Sequence, residues 1–252
     1  MFDLSGKIAL VTGSSRGIGK AIATRLAEAG AEVILHGRSE SGALKATAED
    51  IISKGGKAHT VFADTSSIEQ IDAMFDKIKK EFGHLDIMVN NAAIVLRAPF
   101  LEISVEDWDR TMTTNSRGYF YCGQSAAKLM LDNENGGRII NISSISQFEA
   151  ATGRCHYCAS KGAIGMLTKG MALELAEKNI TVNAVLPGSI HTDFNDDVLS
   201  DPEFYAKCVA GIPAGRLGKA DDIAGAVVML ASDEASYISG AEIVIDGAKT
   251  VF

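Results

Sequence analysis

Short apolar runs alternate with amphipathic stretches along nearly the whole chain. Residues 7–12 (KIALVT), 32–36 (EVILH), 58–62, 85–89 (LDIMV), 138–142 (RIINI), 180–186 (ITVNAVL) and 242–246 (EIVID) are apolar at most positions and too short for helices, which predicts seven buried strands. Between them the period changes. Residues 17–30 place Ile18, Ala21, Ile22, Leu26 and Ala29 on one side and stop at Gly30. Residues 40 to about 54 form a polar-faced helix closed by Gly55-Gly56, and residues 67–82 bring Ile68, Ile71, Phe75, Ile78 and Phe82 back at helical intervals. The later helices are predicted over 105 to about 131, 154 to about 178, and 221–232, with a turn cluster at 133–137. Residues 188–218 keep no sustained period and hold two of the four prolines, so they are predicted as a long, partly helical excursion. Strands separated by helices imply an α/β chain: a doubly wound, seven-stranded parallel sheet with helices on both faces. Ligands of such sheets bind beyond the carboxyl ends of the strands.

At 252 residues with no linker or repeat, the chain reads as a single domain, 1–252, with 188–218 as its substrate-binding excursion. The net charge is −8 without any concentrated basic run, which argues against nucleic acid as a partner. The first residues show no basic segment followed by an apolar one, and no apolar run approaches bilayer length. The expectation is a soluble, cytoplasmic protein with no membrane partner. The four cysteines, Cys122, Cys155, Cys158 and Cys208, include one Cys-x-x-Cys, but no second pair accompanies it as a zinc site needs. No metal is expected, and the two cysteines read as small side chains near a helix start.

Directly after the first strand come Thr12-Gly13-Ser14-Ser15-Arg16-Gly17-Ile18-Gly19. Gly13 permits the tight turn, Gly17 the approach of backbone to a pyrophosphate, and Gly19 close packing of helix on sheet. The helix N-terminus beyond them favours an anion through free N–H groups and the helix dipole. The second strand ends in His36-Gly37-Arg38-Ser39, with no carboxylate to take a ribose 2′-hydroxyl. Arg38, helped by Arg16, is placed to pair with a 2′-phosphate, so NADP(H) is expected over NAD(H).

Tyr157 and Lys161 lie four apart in a helical segment and share one face. An ammonium ~4 Å from a phenol, at an effective dielectric of about 20, favours the phenolate by roughly 4 kcal/mol, or about three pKa units. That would bring a tyrosine close to working pH as an acid–base group. Strand five ends in Asn141-Ile142-Ser143-Ser144 and strand four in Val89-Asn90-Asn91-Ala92-Ala93, both at the ligand edge, and Asn115 interrupts the helix between them.

With these motifs in order, TGSSRGIG at 12–19, NNAA at 90–93, Asn115, the serine pair before Ile145, YCASK at 157–161 and PGSIHT at 187–192, the chain resembles the short-chain dehydrogenase/reductase family over nearly its full length. The resemblance implies a single-domain Rossmann fold and a homotetramer. It implies Tyr157 as the acid–base residue, and Lys161 as the residue that binds the nicotinamide ribose and lowers the tyrosine pKa. Ser144, rather than Ser143, would polarise the substrate carbonyl, and Asn115 would hold a relay water. Cofactor contacts are implied for Ser15, Ile18, Asp64, Asn90, Ala92, Pro187, Gly188, Ile190 and Thr192, besides Gly13, Arg16, Gly17, Gly19, Arg38, Tyr157 and Lys161. Two departures stand out: Ala93 and Ala248 occupy positions where the family usually has glycine.

Polar groups are plentiful where the substrate should lie: Ser146, Gln147, Arg154 and His191 as contacts, with His156, Ser189, Asp193 and Asn195 nearby. They favour a sugar, polyol or small ketone over a steroid. The segment from Asn183 to Asp193 and the RLG…DD…AG run at 216–225 are similar to sugar and polyol dehydrogenases of the family, and also to 3-oxoacyl-acyl-carrier-protein reductases. A further alternative, a non-catalytic dinucleotide-binding sensor or scaffold, would require one of Asn115, Ser144, Tyr157 and Lys161 to be missing; all four are present.

Overall fold

The structure is a computed structural model that describes residues 2–131, 136–192 and 201–251, the side chain of Phe204 excepted. Asp193, Asn195 and most of the predicted turn at 133–137 lie outside the described residues. Seven strands form one parallel sheet: β1 (Ile8–Val11), β2 (Glu32–Gly37), β3 (Lys57–Phe62), β4 (Ile87–Asn90), β5 (Gly137–Ile142), β6 (Ile180–Pro187) and β9 (Glu242–Ile245). Their order is β3-β2-β1-β4-β5-β6-β9. The chain turns outward in opposite directions from β1 and β4, so the topological switch point falls between those two strands.

The strand pleat divides the core. Ala9 and Val11 face one layer with Ile22, Leu26, Ile223, Val227 and Leu230, from α1 (Gly17–Glu28) and a C-terminal helix, Ala220–Ala231. Ile8 and Leu10 face the other, with Ile71, Phe75 and Ile78 of α3 (Ile68–Phe82) and Ala126 and Met130 of the helix before β5. Each such buried aliphatic or aromatic side chain contributes about 1.5–3 kcal/mol, which is why both faces of the strands read as apolar. Serine caps start three helices: Ser41 accepts from Leu44 N–H at α2 (Gly42–Ser53), Ser67 from Gln70 N–H at α3, and Ser104 from Asp107 N–H at α4 (Val105–Met112).

The predicted helix over 105–131 is interrupted. Between α4 and α5 (Gly118–Leu131) lies a π-helical turn, Thr113–Arg117. Its cause is Asn115, fully buried, whose side chain accepts from Ile94 N–H (2.8 Å) and donates to Ile94 C=O (2.9 Å) and to Ser160 Oγ (3.2 Å). Satisfying those partners costs the helix its regular ladder there. The helix predicted over 154–178 is α6 (Cys155–Leu175), followed by a short 3-10 turn, Ala176–Lys178. The excursion contains a two-stranded parallel pair, β7 (Ile190–His191) with β8 (Gly218–Lys219), and α7 (Pro202–Ala210), before α8 (Ala220–Ala231). Arg216 grips Asp222 through both guanidinium nitrogens (2.6 and 3.2 Å), and Asp222 also takes Lys219 N–H (2.7 Å). The RLG…DD run is thus a clamp that fastens the excursion to α8.

Two polar networks hold the carboxyl edge. At the switch point, Asn91 N–H and Ala92 N–H donate to Thr12 Oγ1 (2.9 and 3.1 Å), and Asn91 Nδ2 donates to Thr12 C=O (2.8 Å). His36, 2% exposed, accepts from Gly13 N–H at Nδ1 (3.1 Å) and donates from Nε2 to Ala63 C=O (2.9 Å), the tautomer those partners require. Beyond β4 a buried amide chain runs Asn90 Nδ2 to Asn141 Oδ1 (2.9 Å), Asn141 Nδ2 to Thr168 Oγ1 (2.9 Å), Thr168 Oγ1 to Ile164 C=O (2.8 Å). It fastens β4 and β5 to α6.

Burial lowers the His36 pKa to about 4. Between that value and the ordinary ~6.5 the unfolded chain holds a proton that the folded chain refuses, so acid favours unfolding. Stability carried by the neutral ring is complete above about pH 6.5 and lost as pH falls to about 4, worth about 3 kcal/mol. His36→Asn is expected to unfold more easily at pH 7 but to show a flatter loss of melting temperature between pH 6.5 and 4. A slope matching the wild type would remove His36 as the titrating group.

Candidate active site

Tyr157 stands on the first turn of α6, one turn ahead of Lys161. Ser144 follows β5, and its hydroxyl lies near enough to the Tyr157 phenol to favour the ionised form. The neighbouring Ser143 is turned away: its hydroxyl donates to Gln147 Oε1 (2.9 Å) and lies 3.3 Å from Lys161 C=O. The parallel sheet and the amide chain therefore bring Ser144, Tyr157 and Lys161 together at the edge where a ligand of such a sheet belongs.

The electrostatics differ from the expectation drawn from spacing. Lys161 is 2% exposed, and its Nζ donates to the Ile142 carbonyl at 2.9 Å. The ammonium lies over two aromatic rings, 5.1 Å from the centroid of Tyr119 and 5.7 Å from that of Tyr157. Burial pushes the Lys161 pKa down to about 7. Burial likewise raises the Tyr157 phenol above its ordinary value; the Ser144 hydrogen bond and the Arg154 charge pull the other way, and Cys158 adds to the rise. The predicted lowering of the phenol by its lysine is thus corrected for the chain alone. Spacing placed the two groups on one face but could not tell that both are dehydrated, and burial is the largest cause acting on each.

At the glycine loop, Gly13 and Gly17 take positive φ (65° and 56°), which the turn requires. A Cβ on Gly19 would overlap the Gly13 carbonyl and come within 2.5 Å of Asn91 Nδ2. The first N–H groups of α1 have no side-chain cap, since Arg16 occupies the N-cap without bonding them. Gly17 opens toward Thr192, whose Cβ would lie 3.5 Å from an added methyl. Ile18 packs against the core, and the Ser15 carbonyl lies 3.5 Å from the Thr47 hydroxyl. A narrow cradle of bare backbone at an uncapped helix N-terminus suits a dinucleotide pyrophosphate, so these residues fit the cofactor implied by the sequence.

The other implied contacts divide. Arg16 and Arg38 are exposed beside this cradle, and Ala92 backs it. Asp64 spends Oδ1 on Ser66 N–H (2.9 Å) and Ser66 Oγ (2.6 Å). Burial works against its ionised form, yet those bonds and the charges of Arg38 and Arg110 hold the carboxyl below its usual range. Asn90 turns its side chain into the amide chain, which leaves its backbone for the expected ribose contact. Pro187 ends β6, and Gly188 N–H donates to Ile245 C=O (2.9 Å), while Ile190 is buried.

Among the expected substrate contacts, Ser146 is buried with its N–H on Ser144 Oγ (3.1 Å). Gln147 does not reach outward as expected, because its amide is pressed against Gly165 and Ser143. Arg154 caps α6 near the phenol, and His191 is exposed on β7. A cavity of about 240 Å³ lies beside the site, lined by Ser189, Ile190, Arg216, Asp222 and Asp246 among others; neither Tyr157 nor Ser144 is part of its wall. Cys155 is exposed and Cys158 half-buried, both as free thiols. Sequence reasoning missed the positioning roles of His36, Tyr119 and Asn141. Only the asparagine in an apolar run, at 141, left a signal that could have marked it.

Among the described residues no helix is long and apolar enough to cross a membrane. The family described as enoyl-(acyl carrier protein) reductase matches residues 13–249. The chain is 40% identical over 250 residues to 3beta-hydroxysteroid dehydrogenase 1 of Eggerthella lenta, covering 99% of this chain and 96% of the relative. It is 41% identical over 251 residues to glucose 1-dehydrogenase 2 of Bacillus subtilis, covering 99% and 97%. A solved gluconate 5-dehydrogenase of Burkholderia cenocepacia, in complex with NADP and tartrate, superposes with a TM-score of 0.94 at 36% identity, over 100% of this chain and 98% of that one.

Gly19→Ala is expected to weaken dinucleotide binding at least tenfold in a fluorescence titration, because the loop must move to admit the methyl. Gly42→Ala, where nothing lies within 4 Å of the new atom, is the control and should bind as the wild type does. Equal affinity of all three proteins would contradict the cradle.

Proposed function

The chain belongs to the short-chain dehydrogenase/reductase family, and we propose that it is an NADP(H)-dependent oxidoreductase interconverting a carbonyl and a secondary alcohol, or a sugar hemiacetal, on a small polar substrate. The observation that carries the reading is the hydroxyl pair of Ser144 and Tyr157 at the sheet's carboxyl edge, with buried Lys161 one turn behind. The nicotinamide, when bound, supplies or accepts the hydride. Tyr157 Oη donates a proton to the substrate oxygen in reduction and takes it back in oxidation. Ser144 Oγ hydrogen-bonds that oxygen and steadies the charge developing on it. Lys161, fixed by the Ile142 carbonyl, binds ribose hydroxyls and returns protons to the phenol. Asn115 positions this relay; its amide is engaged with Ile94 and Ser160, so a water it holds belongs to its main chain.

The preference for NADP(H) rests on the exposed arginines, Arg16 and Arg38, and on the absence of a carboxylate at residues 36–39. Asp64 is proposed at the adenine, with Ser15, Ile18, Ala92, Pro187, Gly188, Ile190 and Thr192 around the rest of the cofactor. A sugar, polyol or small ketone is favoured over an acyl-carrier thioester because Ser146, Gln147, Arg154 and His191 supply polar groups in the segments expected to meet substrate, while basic residues for an acidic carrier protein are sparse. A homotetramer is the proposed assembly. Leu101, Val105, Met166 and Leu173 are between 69% and 93% exposed on the outer side of the region containing α4 and α6, where such contacts would form.

Tyr157→Phe is expected to bind NADPH within about twofold of the wild type while turnover falls by orders of magnitude; retained turnover would take the phenol out of the chemistry. Arg38→Asp should raise the KM for NADPH far more than that for NADH. Equal effects on the two cofactors would end the argument for NADP.

A further inference from the structure

Lys161 shares its anchor. The Ile142 carbonyl that takes the ammonium at 2.9 Å also accepts from Tyr119 Oη at 3.0 Å. A carbonyl oxygen has two lone pairs, and these two donors fill both. The strands leave this oxygen free for them. The same peptide gives the Ser143 N–H to Val185 C=O of β6 (2.8 Å), so the Ile142 carbonyl points the opposite way, toward β4. There β4 has ended at Asn90, paired with Asn141, and the next two N–H groups, of Asn91 and Ala92, are spent on Thr12 Oγ1. Side chains from two different helices, α5 and α6, converge on it instead.

Tyr119 is 2% exposed and fixed along its main chain. Asn90 Nδ2 lies 3.4 Å from its carbonyl oxygen, and Gly118 before it packs so closely that a Cβ there would come within 2.7 Å of the Thr65 carbonyl. The Tyr119 ring centroid lies 5.1 Å from the ammonium. A phenylalanine would supply that ring without dehydrating a hydroxyl, so the hydroxyl is what tyrosine adds at this position. It stays a donor, because burial, and after it Tyr157 and Cys122, hold its pKa well above the ordinary tyrosine value. The other ionisable ring beside the ammonium is Tyr157, 5.7 Å away on the same helix, and Arg154 and Cys158 act on that phenol in turn.

We propose that Tyr119 is a positioning residue: by sharing the Ile142 carbonyl it confines the Lys161 ammonium to one side of that oxygen and loosens the lysine's hold on its proton. An oxygen that serves two donors gives less to each, and a weaker bond to the charged form makes that form easier to discharge. Tyr119 acts through Lys161 rather than on substrate. Its part in turnover rests on the oxidoreductase reading above; its effect on the lysine does not.

Tyr119→Phe removes the competing donor and keeps the ring. In the full, cofactor-free chain the Lys161 Nζ midpoint, followed by ¹⁵N NMR, should rise by about half a pH unit or more, a roughly threefold tighter hold on the proton. 3-Fluorotyrosine at position 119 keeps the hydroxyl but donates more strongly, and should move the midpoint the opposite way. Tyr121→Phe, which removes a phenol hydrogen bond to Asp72 (2.8 Å) from the same helix, is the control and should leave the midpoint in place. The pH dependence of NADPH affinity, read by fluorescence titration, should follow the midpoint in each protein. A midpoint unmoved in Tyr119→Phe, or moved as far by Tyr121→Phe, overturns the role. If Tyr119→Phe fails to fold, the fluorinated chain decides by the same measure. Wild type that binds no NADPH overturns the oxidoreductase reading, while the NMR midpoints still decide the shared carbonyl.

Discussion

Lys161 ends in the interior of the protein with its ammonium on the Ile142 carbonyl, and that contact governs how the site works. A cation with 2% exposure carries a large desolvation cost, which the chain meets with one carbonyl and the faces of Tyr119 and Tyr157. The consequence is an amine poised at about pH 7 and a phenol that burial keeps neutral. In the chain alone the proposed acid–base pair would therefore be at rest. A bound dinucleotide would change that balance, since ribose hydroxyls and a charged pyridine ring both favour the deprotonated phenol.

Everything around this pair serves to hold it still. Ile142 is the last residue of β5, and β5 is tied to β4 and α6 by the asparagines of the buried amide chain. The same α6 carries Tyr157 and Lys161. On the other side of the switch point, Thr12, His36 and Asn91 stitch the glycine loop to the ends of β2 and β4. The proposed dinucleotide cradle and the proposed acid–base pair are thus two parts of one hydrogen-bonded edge, with few rotatable elements between them. Preorganisation of that kind is what a hydride-transfer site requires.

The strands and most helices were legible because their burial on two faces leaves a plain apolar pattern, and their ends moved by only a residue or two where caps such as Ser67 decide the boundary. The π-helical turn was not legible. It depends on Asn115 meeting Ile94, a contact that local periodicity does not encode. In the site, the shared face of Tyr157 and Lys161 was readable from spacing, and Ser144 from the family resemblance; Lys161 Nζ lies 5.7 Å from the Tyr157 ring centroid. Asn90 is expected at the ribose; its side chain is spent on the amide chain, which leaves the backbone for that contact, and a polar residue at a strand end carries the same signal for either use. The rise of the Tyr157 pKa in the chain alone was not legible, since sequence spacing measures proximity and not burial.

The central claim is that burial, rather than the phenol, sets the charge of Lys161. The most direct test follows the Nζ resonance of ¹⁵N-labelled lysine across pH in the cofactor-free protein, with Lys161 assigned by its loss in Lys161→Arg. A midpoint lowered by burial to about pH 7 is expected. A lysine that keeps its ordinary midpoint above pH 10 would contradict it and, with it, the view of a resting pair awaiting its dinucleotide.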